Sequence, residues 1–99
     1  MNQPNNFEGG AVRVGSDCYP YSIIARTNTR IEARKDNYKP ATGFDYYSNQ
    51  VYDYEFNPLS GVEVFTLRKN GRWVKKGSDM WHGISIVPGS RRCYQDPSF

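Results

Sequence analysis

The sequence predicts a mainly β fold, either a small antiparallel β-barrel or a strongly bent sheet with long loops, and an SH3-like barrel is the specific prediction. β-Branched and aromatic residues suit a pleated, half-buried surface, and the chain holds eight Tyr and two Trp. No window carries a long apolar repeat of about 3.6 residues, so helices are not expected. Short alternating stretches are instead separated by polar turns, as in small barrels.

The chain is long enough for one domain, because 99 residues close a single hydrophobic core. Ile, Leu, Val and Phe together number only 19, so Tyr and Trp rings are expected to complete that core. Residues 1–10 are polar and rich in Asn and Gly, and they are predicted to be a flexible lead-in. The single β domain is therefore predicted over residues 11–99.

Alternation and turn residues divide the domain into seven predicted strands. These strands are residues 11–14, 19–26, 29–35, 51–56, 62–69, 72–76 and 84–87. Residues 36–50 contain Pro40 and Gly43 and are predicted to be a long loop. Residues 89–99 are predicted to be an irregular tail.

The clearest local pattern is Asn70-Gly71 between two alternating stretches. It predicts a two-residue hairpin turn of type I′, in which both turn residues have positive φ. This turn would pair Lys69 with Arg72, Arg68 with Trp73, Leu67 with Val74, and Thr66 with Lys75. Since opposed residues share a face, the core face is predicted to hold Phe65, Leu67 and Val74. The other face would hold Val64, Thr66, Arg68, Trp73 and Lys75.

The same hairpin is the strongest candidate binding site in the sequence. In the predicted register the Arg68 guanidinium lies on the Trp73 indole, and this pair could stack a base while neighbouring cations contact phosphates. The candidate binding residues of the hairpin are Arg68, Lys69, Arg72, Trp73 and Lys75. The alternative interpretation is an edge hairpin whose charges prevent association with other sheets.

A second candidate surface is rich in tyrosine and acid. Tyr46 and Tyr47, in the predicted loop, are candidate contacts for a protein partner, because Tyr is common at interfaces. In strand 51–56 the aromatic residues alternate with acids and are predicted to be core. Residues 36–63 carry a net charge of −4 and residues 64–99 a net charge of +5, which indicates either ordinary solvated faces or a polarised binding surface.

The sequence offers little for catalysis or for a metal. His82 is the only histidine, and nucleophile-elbow, P-loop and dinucleotide motifs are absent. Cys18, Cys93 and His82 lack zinc-ligand spacing, and both thiols are predicted to be free because the chain is expected in a reducing cytosol. No signal peptide, membrane span, cofactor or metal is therefore expected, and the chain is predicted not to be an enzyme.

Two stretches in the second half of the chain carry a family resemblance. They are Tyr52-Asp53-Tyr54-Glu55-Phe56-Asn57-Pro58 and Phe65-Thr66-Leu67-Arg68-Lys69-Asn70-Gly71-Arg72-Trp73-Val74. Shorter matching segments are Val14-Gly15-Ser16-Asp17, Arg34-Lys35-Asp36 and Asp96-Pro97-Ser98-Phe99. Together they resemble a group of small bacteriophage and prophage proteins. The resemblance covers most of the chain, is densest over residues 52–77, and transfers no catalytic or binding residue.

The resemblance implies a setting for the chain. Small phage accessory proteins commonly act stoichiometrically on host machinery or host defence, and many inhibit nucleases such as CRISPR effectors. By this analogy the chain is expected to be a non-enzymatic binding protein in the host cytoplasm, an anti-CRISPR-like or other anti-defence inhibitor whose partner is a host protein. The residues leave a second hypothesis open, a direct nucleic-acid or nucleotide binder. A small enzyme that uses His82 and a structural component of the virion are further alternatives.

Overall fold

This computed structural model describes residues 7–89 and 91–97, and this part of the chain contains eight β-strands. The strands are β1 Glu8–Val14, β2 Asp17–Arg26, β3 Arg30–Lys35, β4 Asn37–Pro40, β5 Tyr52–Glu55, β6 Val62–Leu67, β7 Trp73–Lys75 and β8 Ser85–Pro88. Six of these strands close an antiparallel barrel in the order β1-β2-β3-β6-β7-β8, and β4 and β5 form a separate two-stranded sheet. The predicted β-barrel is confirmed, whereas its SH3-like character stays a prediction.

The barrel closes because β1 pairs with a strand on each side. A tight turn joins β1 to β2, and Gly15 takes a φ of 60° there, a conformation that glycine adopts without steric cost. On its other edge β1 pairs with β8, where Val12 lies opposite Ile86. A β-bulge between Ile23 and Ala25 interrupts the pairing of β2 with β3, and bulges of this kind bend a strand.

The core lies inside the barrel, where alternate residues of the strands point inward. The buried cluster contains Val12, Tyr21, Ile23, Ile31, Ala33, Phe65 and Ile86. The Tyr21 ring meets the Phe65 ring edge-on, with 6.3 Å between the ring centroids. The Tyr21 hydroxyl donates to Glu63 Oε2 at 2.5 Å, so the polar end of this buried side chain is satisfied. Aromatic residues therefore complete the core, as predicted.

The segment predicted to be a loop, residues 36–50, begins with a strand. β4 pairs with β5 in an antiparallel register that places Asn37 opposite Glu55 and Pro40 opposite Tyr52. The loop prediction is therefore wrong for β4. Asn, Lys and Pro are depleted in strands, so the local sequence of β4 disfavours the conformation that pairing with β5 imposes.

The β6–β7 hairpin has a three-residue loop, and the predicted two-residue turn is wrong. Gly71 has a φ of 84°, but Asn70 has a negative φ, and a type I′ turn requires positive values at both residues. The Gly71 amide donates to the Arg68 carbonyl, and the Arg68 amide donates to the Arg72 carbonyl, both at 2.9 Å. These bonds describe a type I turn followed by a glycine in the left-handed region.

The longer loop shifts the hairpin register by one residue, which exchanges the two faces of β7. Leu67 lies opposite Trp73, and Thr66 lies opposite Val74. Trp73 therefore packs against the barrel core, while Val74 is fully buried on the outer face beneath the segment 76–84. Leu67 shares the inner face with Phe65, as predicted, and with Trp73, but it is 39% exposed, whereas the predicted place of Val74 on that face is wrong.

The structure corrects the start of the first strand. β1 begins at Glu8, three residues before the predicted strand 11–14. Most of the predicted lead-in, residues 1–6, lies outside the described residues.

The tail is irregular, as predicted, but it is attached to the barrel. Cys18 and Tyr94 exchange two backbone hydrogen bonds of 2.8 and 2.9 Å. The tail therefore pairs with the start of β2, before the part of β2 that pairs with β3. Arg91 Nε donates to Asp36 Oδ2 at 2.8 Å, and the Asp36 side chain has no exposed surface. Ser90 and residues 98–99 of the predicted tail lie outside the described residues.

No helix in residues 7–89 and 91–97 is long and apolar enough to cross a membrane.

Candidate functional site

Both hairpin arginines that the sequence predicts as contacts are bonded within the protein. Arg68 donates from Nε to Thr66 Oγ1 at 2.9 Å, and its terminal nitrogens bind the carbonyls of Ser78 and Lys75. Arg72 forms four bonds of 2.7 to 3.3 Å, to the carbonyls of Met80, Trp81 and Gly83 and to the Ser85 hydroxyl. The two guanidinium groups therefore tie the irregular segment 76–84 to the hairpin.

The predicted contacts Trp73 and Lys75 lie on the inner side of the barrel wall. The cation over the Trp73 ring is Arg26, at 5.4 Å from the ring centroid. Lys75 Nζ pairs with Glu63 Oε1 at 3.4 Å. The predicted stacking of Arg68 on Trp73 is therefore wrong, because the shifted register moves Trp73 to the inner face.

Lys69 is the predicted hairpin contact whose charge stays available. Its side chain is exposed, and no described residue forms a hydrogen bond or ion pair with its ammonium group. Across residues 7–89 and 91–97, the same holds for the exposed side chains of Lys76, Arg13 and Lys39. Fewer cationic side chains of the hairpin are therefore available to a partner than the hairpin sequence indicates.

An open cleft of about 810 Å³ runs beside β8. We call it the β8 cleft and define it by six of its lining residues, Arg13, Val14, Arg72, His82, Ile84 and Val87. Val14 is 43% exposed and Val87 is 51% exposed, and Trp81, next to His82 in the chain, is 65% exposed. A group of exposed apolar side chains around a cleft is typical of an interaction surface.

The wall of the β8 cleft formed by residues 76–84 is held rigidly although it has no regular secondary structure. The Asp79 carboxylate accepts the amides of Trp81 and His82 at 3.3 and 3.0 Å and contacts His82 Nδ1 at 2.8 Å. These bonds lower the pKa of Asp79, and the bond with the His82 ring has the largest effect. A Cβ on Gly83 would lie 2.6 Å from Val74 Cγ1, so a glycine is needed where this segment crosses the barrel.

Among the described residues, His82 has an acidic partner but no bonded nucleophile. The Asp79–His82 contact could orient an imidazole, as in hydrolase triads. The side chain is 91% exposed, and no described nucleophilic side chain is bonded to the ring. Within the described ranges no group of three or more His, Cys, Asp or Glu is placed to hold a metal ion.

The two tyrosines predicted in the loop after β4 have different environments. The Tyr46 hydroxyl donates to the Asp96 carbonyl at 3.3 Å, so this half-buried ring helps to hold the tail. The Tyr47 ring meets it edge-on at 5.2 Å and is 79% exposed. Tyr47 is therefore available to a partner, whereas Tyr46 also has an internal role.

The aromatic residues of β5 form a second cluster beneath the tail. Tyr52 packs edge-on against Tyr38 and Phe44, with centroid distances of 5.7 and 5.2 Å. The Tyr54 hydroxyl accepts the Cys93 amide at 3.2 Å. Burial raises the pKa of Tyr52 to about 12. These rings are half-buried, so they pack as predicted, but in this cluster and not in the barrel core.

Both cysteines are buried free thiols in this structure. Cys93 precedes Tyr94, whose backbone pairs with Cys18, so the two residues lie near one another at the start of β2. Burial raises the pKa of the Cys93 thiol to about 11, so little of it is thiolate at neutral pH.

Sequence reasoning missed the β8 cleft, although it predicted the strands that form it. The pairing of β1 with β8 places Arg13 opposite Ser85, and this contact between distant parts of the chain has no local signal. The alternation of Val12, Arg13 and Val14 in β1 indicates only that the Arg13 side chain points away from the core.

No family model matches this chain, and no curated protein and no solved structure matches it either.

Proposed function

We propose that the chain is a non-enzymatic binding protein that attaches to a protein partner through the β8 cleft and Trp81. The observation that carries this proposal is that the exposed Val14 and Val87 line the cleft with Arg13, whose guanidinium has no partner among the described residues, while the exposed Trp81 directly precedes the lining residue His82. Burying apolar surface is favourable by about 25 cal/mol per Å². A partner that covers these side chains and offers a carboxylate to Arg13 would satisfy the whole surface.

The rigid wall of the cleft supports the same proposal. The guanidinium groups of Arg68 and Arg72 together make seven hydrogen bonds, six of them to the segment 75–85, and Val74 packs beneath Gly83. A surface that is already ordered loses little conformational entropy when a partner binds. The hairpin arginines contribute to this order through their bonds to the segment.

The resemblance to small bacteriophage and prophage proteins supports a host protein as the partner. Small phage accessory proteins commonly act on host machinery or host defence, and by this analogy the chain would inhibit its partner by occupying a surface of it. We therefore propose an anti-defence or related inhibitor that acts in the host cytoplasm.

The test is site-directed photo-crosslinking in host cells. A benzophenone amino acid replaces Val87 in the β8 cleft or, as a matched control, Leu59, which is 92% exposed in the loop after β5. We expect one defined protein adduct from position 87 and none at the same mass from position 59. Equal patterns from both positions would contradict the proposal.

The captured protein is then purified and titrated with variants. Trp81→Ala and Val87→Ala together are expected to weaken binding by at least tenfold, because each removes an exposed apolar side chain that the partner would bury. Leu59→Ala is expected to bind as the unchanged chain does. An unchanged affinity of the double variant would show that the partner binds elsewhere.

A direct nucleic-acid binder is the second candidate, because three exposed cations in β1 and in the loops that join β6, β7 and β8, namely Arg13, Lys69 and Lys76, have no side-chain partner in the described chain. Fluorescence anisotropy with labelled single- and double-stranded oligonucleotides, at low and near-physiological salt, distinguishes the two candidates. Phosphate contacts release counterions, so this candidate predicts an affinity that falls steeply with salt and is lost when the three cations are replaced by alanine. Absence of binding at both salt concentrations would exclude it.

A further inference from the structure

β5 pairs with β4 in a separate two-stranded sheet, so its outer edge has no partner strand among the described residues. The Ala41 amide donates to the Val51 carbonyl at 3.0 Å, just before the Pro40–Tyr52 pair of the β4–β5 ladder. In an antiparallel ladder, hydrogen-bonded pairs alternate with pairs whose backbone groups point outward. The hydrogen-bonded pairs are therefore Ala41–Val51, Lys39–Asp53 and Asn37–Glu55.

It follows that Tyr52 and Tyr54 direct their N–H and C=O groups away from β4. In residues 7–89 and 91–97, neither backbone nor side-chain groups bond to these four outward groups. β5 therefore presents a short unpaired edge with two donors and two acceptors. The outer edge of β4 is less suited to pairing, because Pro40 has no N–H.

The side chains of β5 give this edge a chemical character. Asp53 and Glu55 are exposed on one face of the sheet, and no described cation forms an ion pair with either carboxylate. A hollow of about 110 Å³ lies over the same sheet, lined by Asn37, Tyr38, Lys39, Asp53, Tyr54 and Glu55. The opposite face carries the rings of Tyr52 and Tyr54.

We infer that the β5 edge accepts an extended segment of a partner protein as a third strand, with Lys or Arg at alternate positions. The outward groups of Tyr52 and Tyr54 supply main-chain hydrogen bonds, as in strand addition. The cations of the segment share a face with Asp53 and Glu55, and its other side chains face the tyrosines. This surface is separate from the β8 cleft, so it holds whether or not the cleft binds a protein.

Hydrogen exchange of the free protein is the first test, because the structure predicts an alternation at single residues. The amides of Asp53 and Glu55 lie in the ladder and are expected to exchange slowly, while those of Tyr52 and Tyr54 exchange fast. Protection of Tyr52 and Tyr54 in the free monomer would overturn the inference, because the edge would already be covered. Protection that appears only at high protein concentration would also overturn it, because a second copy would then be the occupant.

The second test adds peptides to the full chain. The probes are four labelled nine-residue peptides in which Lys alternates with Val, Thr, Tyr or Leu, each with a matched version carrying Glu in place of Lys. We expect at least one Lys peptide to slow exchange at Tyr52 and Tyr54 by tenfold or more, with Asp53 and Glu55 unchanged. N-methylation of its alternate amides is expected to abolish this protection. If all four peptides leave Tyr52 and Tyr54 unprotected, or if Glu peptides protect them equally, the inference is wrong.

Charge reversal then tests the chemistry of the edge. Asp53→Lys with Glu55→Lys is expected to weaken binding of the Lys peptide at least tenfold and to favour the Glu peptide. The control is Glu32→Lys, which reverses a carboxylate on β3 in the barrel. Equal loss in the control would mean general electrostatic attraction without strand addition, and that result would also overturn the inference.

Discussion

Arg91→Ala tests the contact that attaches the tail to the barrel. Arg91 Nε donates to Asp36 Oδ2 at 2.8 Å, and the Ser22 hydroxyl donates to the other carboxylate oxygen at 2.5 Å. The Asp36 side chain has no exposed surface, and that of Arg91 is 17% exposed. A second nitrogen of Arg91 also binds the Phe7 carbonyl at 2.9 Å, which joins the tail to the start of β1. Removing Arg91 would therefore leave a buried carboxylate with one neutral donor.

The magnitude follows from that burial. Removing one partner of a buried ion pair costs about 3–5 kcal/mol, and the partial exposure of Arg91 places the expected loss near the lower limit, about 3 kcal/mol. The assay is urea denaturation followed by tryptophan fluorescence. Arg92→Ala is the matched control, because Arg92 is exposed and its guanidinium contacts the Tyr94 ring, 5.9 Å from the ring centroid. The expected loss of unfolding free energy in this control is below about 1 kcal/mol.

The double variant Asp36→Asn with Arg91→Ala separates charge from packing. Without the carboxylate there is no buried charge to leave unpaired, so the double variant is expected to be more stable than Arg91→Ala alone. A loss from Arg91→Ala below about 1 kcal/mol would refute the reasoning. The reasoning would also be refuted if the losses of unfolding free energy from Asp36→Asn and Arg91→Ala, each measured alone, simply added in the double variant.

Three further predictions concern the core, the chain start and a buried thiol. Phe65→Ala is expected to cost about 3–5 kcal/mol of unfolding free energy, measured in urea, because the fully buried ring leaves a cavity at the barrel centre. Gly9→Ala is expected to cost about 1–3 kcal/mol in the same assay, since the new Cβ would lie 2.7 Å from Arg91 Cγ and 2.8 Å from its backbone nitrogen, and an unchanged stability would contradict this crowding. Burial raises the pKa of Cys93 from 9.0 to about 11, so the folded chain holds this proton more tightly than the unfolded chain. Unfolding free energy is therefore expected to be fully retained below pH 9.0 and to fall as the pH rises towards about 11, and Cys93→Ala should make this fall shallower.

Local patterns predicted the strands well and their partners poorly. Each of the seven predicted strands overlaps an observed one, because the alternation of apolar and polar residues indicates which side chains point into the core. β4 was missed because Asn37, Lys39 and Pro40 carry no strand signal and depend on β5 for their conformation. The β8 cleft was missed for the same reason, since it arises where β1 meets β8, far apart in the sequence. Pairing between distant segments has no local pattern.

The hairpin shows how a single turn residue changes a functional prediction. Asn-Gly is compatible with a two-residue turn and also with the last two positions of a three-residue loop. The three-residue loop places the Trp73 indole against the core, where a large ring is stabilised by burial, and leaves the smaller Val74 outside beneath Gly83. The shift of one residue removed the predicted exposed ring from the basic surface, and with it the basis for base stacking by Trp73.

The charge of a segment overstates its binding capacity when its cations are bonded internally. Residues 64–99 hold seven basic residues, yet Arg68, Arg72, Lys75 and Arg91 all bind groups within the protein. If the exposed cations Arg13, Lys69 and Lys76 each met one phosphate of duplex DNA, the logarithm of the affinity would fall with the logarithm of salt concentration with a slope of about −2.7. A measured slope much steeper than this value would mean that further cations meet phosphates, and replacing the exposed Lys39 and Arg92 by alanine would separate their contribution from that of Arg68 and Arg72. If Arg68 and Arg72 left their carbonyl partners to bind phosphates, the wall of the β8 cleft would be released, so nucleic-acid binding through those arginines and protein binding through the cleft would exclude one another.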